Sequence, residues 1–146
     1  YHIGEEDRHH GYYAVGYALG SSPSETSADK TFNYALWTLI EQPLLHIGES
    51  HLGAMWQGGT SPASRSTCRH YWGAGLIWSN IPPRMTQVGL VVNRALYADG
   101  RETDVELTGS FPVCNHFTLQ PAVHCINTNG NYTAAAQLRA ILEFGN

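Results

Sequence analysis

Lysine is almost missing from this chain: Lys30 is the only one in 146 residues, and Asp, Glu, Lys and Arg together make up 14% of the sequence. Ordinary soluble domains carry about 25% charged residues, so solubility in water would have to rest on Ser, Thr, Asn, Gln, Gly and His. The arginines stand singly, at Arg8, Arg65, Arg69, Arg84, Arg94, Arg101 and Arg139, and the formal net charge is −4. Nucleic-acid affinity comes largely from neutralising phosphates, so the lack of a basic stripe argues against nucleic acid as a partner. Anionic lipid headgroups have no polybasic run to meet either. Long apolar runs are also missing. Gly89–Val92 and Ala134–Ala136 are typical of what the chain offers. These fall far short of the roughly 20 residues of a membrane-crossing helix, and on that ground no membrane insertion is expected. No signal-like stretch follows Tyr1, as in a processed product.

Cysteine is scarce and odd in number, at Cys68, Cys114 and Cys125. The spacing does not match a paired-cysteine zinc site. Cys114 and Cys125 are candidates for a disulfide across neighbouring strands, with Cys68 left over. Three buried thiols acting as small hydrophobes is the plainer alternative. Asn131-Tyr132-Thr133 is a legal glycosylation triplet, which makes Asn131 a candidate acceptor.

What the chain does have is alternation. Tyr13, Val15, Tyr17 and Leu19 alternate with Ala14, Gly16 and Ala18; Val88, Leu90 and Val92 repeat the pattern; Val105 and Leu107 sit between Asp104, Glu106 and Thr108. A period of two places one set of side chains on one face, which predicts half-buried strands. Asp99-Gly100 and Asn127–Asn131 read as turns, because Asn, Asp and Gly tolerate positive φ. Two segments fit a helix as well: near 29–41, where Phe32, Leu36, Leu39 and Ile40 fall at helical spacing, and near 133–144, which is rich in alanine. In the first, the alternation of Phe32, Tyr34 and Leu36 fits a strand equally well, and in the second the β-dense surroundings favour a closing strand. Length and uninterrupted composition predict one domain over 1–146. The expected fold is all-β, a single antiparallel β-sandwich of the jelly-roll kind, with an α+β fold as the alternative.

Three sets of residues could carry chemistry. Gly48-Glu49-Ser50-His51 looks like part of a nucleophile elbow, but Leu52 stands where that sharp turn needs a small residue. His46, Glu49 and His51 are weak metal-ligand candidates, since five-residue spacing misaligns the two imidazoles on a helix and on a strand alike. His2, Glu5, Glu6, Asp7, His9 and His10 make a ligand-rich N-terminus of the kind that usually frays. Trp56, Tyr71, Trp72 and Trp78, beside Gly- and Ser-rich segments, are the candidate ligand-binding residues, because flat aromatic faces stack on sugar C–H faces. Filling a core is their other role.

Cys68-Arg69-His70-Tyr71-Trp72 and Leu119-Gln120-Pro121-Ala122-Val123 resemble short pieces of SPRY-type β-sandwich modules, and the resemblance implies peptide binding through loops. The sequence between the two pieces departs from that pattern. The functional expectation is a non-enzymatic recognition or assembly module, extracellular or on a virion surface, homo-oligomeric, without cofactor, and binding glycans through aromatic-lined loops. A small hydrolase or metal-dependent enzyme using His46, Glu49, Ser50 and His51 is one alternative, and a peptide-binding module the other.

Overall fold

The computed structural model describes residues 11–24, 27–62, 67–83 and 86–143. Eight strands follow one another along the chain: β1 (Tyr12–Ser24), β2 (Ser27–Ile47), β3 (Ser50–Thr60), β4 (Cys68–Ile81), β5 (Thr86–Tyr97), β6 (Arg101–Cys114), β7 (Phe117–Thr128) and β8 (Asn131–Leu142). They form one antiparallel sheet in sequence order, β1 to β8, each strand bonded to its neighbours in the chain. The all-β expectation holds, and no helix occurs among the described residues.

Both segments with helical character are strands. The register runs unbroken from Phe117↔Leu142 to Thr128↔Asn131, so every residue of β8 faces a partner on β7. A strand neighbour that pairs along the full length outweighs alanine's few tenths of a kcal/mol of helix preference per residue. β2 is paired on both sides, with β1 and with β3. The turns are short. Asn129 (φ 54°) and Gly130 (φ 95°) close β7 onto β8, and two positive φ values in succession are what a tight hairpin requires.

The sandwich and jelly-roll part of the expectation is not what these residues build. A jelly roll needs long connections that carry the chain across to a facing sheet. Here the linking segments run from two to seven residues, which lets each strand reach only the one beside it. Among the described residues, contacts between elements accordingly occur only between sequential strands. With no second layer, almost nothing is covered. The only buried hydrophobic side chain among the described residues is Ala122, and the accessible surface is 10,752 Å². Scaling for a folded monomer of this mass gives roughly 7,400 Å². Among the described residues, the outer edges, β1 and β8, have no partner strand on their far sides.

The register then sorts the residues into two unlike faces. One face carries Tyr13, Val15, Tyr17 and Leu19 on β1, and opposite them Ile40, Leu36 and Tyr34 on β2. It continues through Leu52 and Trp56 of β3 to Trp78, Leu76 and Trp72 of β4. Leu76 pairs with Leu90, Leu90 with Leu107, Leu107 with Val123, and Val123 with Ala136. That row crosses five strands near mid-length without one polar side chain. Among the large apolar side chains that stand exposed, Trp37 falls on the opposite face, and Leu44 and Val113 sit at register shifts. All the others share this one face. Val15 is 81% exposed and Tyr17 71%.

Candidate functional site

The opposite face carries a hydrogen-bonded polar network set among less exposed apolar side chains such as Met55, Ile77, Val91 and Ile126. Gln57 on β3 donates its Nε2–H to the Tyr71 hydroxyl on β4 at 2.6 Å, and Tyr71 donates to Asn93 Oδ1 on β5 at 2.8 Å. Asn93 lies opposite Asp104 on β6, and Glu106 lies opposite His124 on β7. His124 Nδ1 and Asp104 Oδ2 are 3.0 Å apart. Further along the same face, Gln120 reaches Ser110 at 3.4 Å and Thr128 donates to Glu102 at 3.2 Å.

Gly73 lies between Gln57 and Asn93 in the register, and the space over it is taken by their side chains. A larger residue there would push the polar groups apart. The polar-face residues of β6, namely Glu102, Asp104, Glu106, Thr108 and Ser110, are all less exposed than Val105, Leu107 and Phe111, which point the other way. Tyr71→Phe is expected to lower unfolding stability by about 1–2 kcal/mol, because it leaves Gln57 and Asn93 without their shared partner. A shifted denaturation midpoint at unchanged slope would record it.

The residues singled out from sequence are dispersed. Trp56, Trp72 and Trp78 lie on the apolar face, and Tyr71 lies on the polar one. The four therefore do not line one loop-borne site. Trp56 lies over Gly58, in a dent of about 430 Å³ that Leu36, Thr60, His70 and Tyr71 also border, so two of the four candidates meet there while Trp72 and Trp78 do not.

Gly48-Glu49 forms the β2–β3 turn, so Ser50 opens a strand, and the strand-to-helix geometry of an elbow is not present. The Ser50 side chain is buried, and its hydroxyl donates to the Asn80 carbonyl at 3.1 Å. His46 and His51 face each other across β2 and β3 with ring centroids 6.0 Å apart. Glu49 does not complete a three-ligand set with them; among the described residues that arrangement is found at Asp104, Glu106 and His124.

Cys114 and Cys125 are both free, which corrects the disulfide expectation. The reason is register: Cys114 lies beside the β6–β7 turn opposite Phe117, while Cys125 is far up β7 opposite Val105. Cys68 forms no disulfide either, and its thiol donates to the His70 carbonyl at 3.5 Å. Asn131 opens β8 and is exposed. The ligand-rich stretch with His2, Glu5, Glu6, Asp7, His9 and His10 lies outside the described residues.

Gln57, Asn93, Asp104 and Glu106 were not singled out from sequence, and His124 stood out only for its place beside Cys125, as half of a weak thiolate–imidazole pair. The alternation of Asp104 and Glu106 with Val105 and Leu107 marked the strand, but nothing local pointed to His124 as the residue across from them. Compared with protein-family models, with curated proteins and with solved structures, the chain matches none.

Proposed function

We propose that the chain is a non-enzymatic assembly element, a wall of an antiparallel β-barrel that spans a lipid bilayer. In this reading the apolar face meets acyl chains and the polar face lines a water-filled passage. The observation that carries it is the segregation of nearly every exposed large apolar side chain to one face of a sheet with almost no core. Exposing that face to water would be costly at about 25 cal/mol per Å², whereas hydrocarbon covers it at no such cost.

Dimensions support the same reading. Seven of the eight strands have 11 to 14 residues. At about 3.3 Å per residue and a barrel tilt of about 40°, twelve residues rise roughly 30 Å along the membrane normal, the thickness of the hydrocarbon layer. Trp78, Phe111 and Phe117 stand toward one end of the apolar face, and Tyr34, Trp72 and Tyr132 toward the other; between them β5 to β8 carry Leu, Val and Ala, while Tyr13 and Trp56 stand at an intermediate level on β1 and β3. Aromatic belts at both rims are a feature of such barrels. No helix of the described residues is long and apolar enough to cross a membrane. The 20-residue criterion behind the expectation of no insertion applies to helices, and a strand needs only alternation over ~9–11 residues. Backbone groups at the β1 and β8 edges cannot stay unpaired in hydrocarbon, so closure by further antiparallel strands is part of the proposal.

The four tryptophans test it. Variants retaining one tryptophan each are reconstituted into vesicles and challenged with nitroxide-labelled acyl chains or aqueous acrylamide. Lipid nitroxides are expected to quench Trp56, Trp72 and Trp78 and to spare Trp37, with acrylamide giving the reverse order. Acrylamide quenching of the first three, without lipid quenching, would overturn the reading and leave them to a solvent-facing role such as the sugar stacking expected from sequence.

A further inference from the structure

The geometry points to a divalent transition-metal site at Asp104, Glu106 and His124, on the polar face where β6 meets β7. Glu106 and His124 are direct cross-strand partners, and Asp104 is two residues from Glu106 on the same side of the sheet. Side chains so placed are the ones a strand pair brings within reach of one another. Their candidate ligand atoms, one imidazole nitrogen and two carboxylate oxygens, all lie within 4.8 Å of one another.

Two further observations separate this cluster from an ordinary acidic patch. Asp104 Oδ1 is shut off from solvent and accepts no hydrogen bond, although its carboxyl partner Oδ2 is engaged by His124. A buried carboxylate oxygen without a donor is costly, and a cation would relieve that cost. In addition, among the described residues no lysine or arginine forms an ion pair with Asp104 or Glu106; His124 is the one basic group that reaches Asp104. Two carboxylates held together without a compensating charge repel each other, and a divalent ion supplies that charge.

The donor set narrows the ion. An imidazole with two carboxylates suits zinc or manganese better than calcium or magnesium, which take oxygen ligands. Metal–donor bonds of about 2.0–2.2 Å place neighbouring donors roughly 3.4 Å apart. His124 Nδ1 and Asp104 Oδ2 stand 3.0 Å apart already. The ion would take the place of the proton between them and engage Asp104 through both carboxylate oxygens, which gives Oδ1 its partner, with Glu106 closing in from the neighbouring position. All three residues are partly exposed on the polar face, which leaves the remaining coordination positions to water.

The site is local to one strand pair and does not depend on what covers the apolar face, so its test is separate from the tryptophan experiment. The full chain, in detergent micelles or buffer, is titrated with zinc chloride in a calorimeter. One site per chain is expected. Asp104→Asn, Glu106→Gln and His124→Gln are each expected to weaken zinc binding on the order of 10–100-fold, with the β-sheet circular dichroism retained. The double variant His46→Gln with His51→Gln serves as the competing location and is expected to bind as the parent does. Absence of a titratable site in the parent, unchanged binding in the three variants, or a loss that follows His46 and His51 instead would overturn the assignment.

Discussion

Leu107→Arg is expected to destabilise the protein in a bilayer by about 2–4 kcal/mol, a shift of roughly 30- to 1,000-fold in the folded-to-unfolded ratio. Leu107 lies near the middle of β6, between Leu90 and Val123, and is 54% exposed. In a protein bathed in water, replacing a half-exposed leucine by arginine changes stability by no more than about 0.5 kcal/mol either way. In hydrocarbon the guanidinium loses its hydration and finds no partner. Size alone therefore decides between the two solvents. Gln137→Arg is the matched control, since Gln137 is exposed on β8 but pairs with Ala122 on the polar face. Guanidinium unfolding from lipid vesicles should give a large drop in midpoint for Leu107→Arg and almost none for Gln137→Arg. Equal small effects would mean that water covers both faces.

Gly75→Val carries the second large expected loss, about 1–3 kcal/mol. A Cβ built on Gly75 would stand 2.9 Å from the Leu90 carbonyl oxygen, 2.9 Å from Val91 Cγ2 and 3.3 Å from Val91 Cα. Two of those three atoms are backbone, so the clash can be relieved only by separating β4 from β5. Gly20 offers the contrast, since nothing lies within 4 Å of its Cβ position. There valine adds a residue suited to strands and removes glycine's excess freedom in the unfolded chain. Gly20→Val is expected to be neutral or slightly stabilising. If both variants unfold at the same midpoint, the close approach of β4 and β5 at Gly75 is not a constraint on stability.

The sequence signals succeeded where structure depends on neighbours along the chain. Tyr13, Val15, Tyr17 and Leu19 announce β1 by alternation, and Asn129-Gly130 announces its turn through the positive φ that those residues tolerate. The same alternation was read as half-buried strands, on the assumption that an apolar face must be packed against protein. That assumption generated the sandwich. The same assumption makes loops and tryptophans the expected sites, whereas Asp104, Glu106 and His124 meet in the middle of paired strands.

The alanine-rich stretch of β8 shows the limit from the other side. Residues 133–136 suit a helix, and only β7 lying alongside makes them a strand. Period-two patterning and the positions of Asn and Gly are properties of short segments, so the eight strands and most of their turns were written in the chain itself. Which strands stack, which face is covered and which side chains meet across a register are settled by contacts between residues far apart in sequence. His124 meets Glu106 only because β6 and β7 pair in the register they do, and the apolar residues gather on one face only because seven such registers agree.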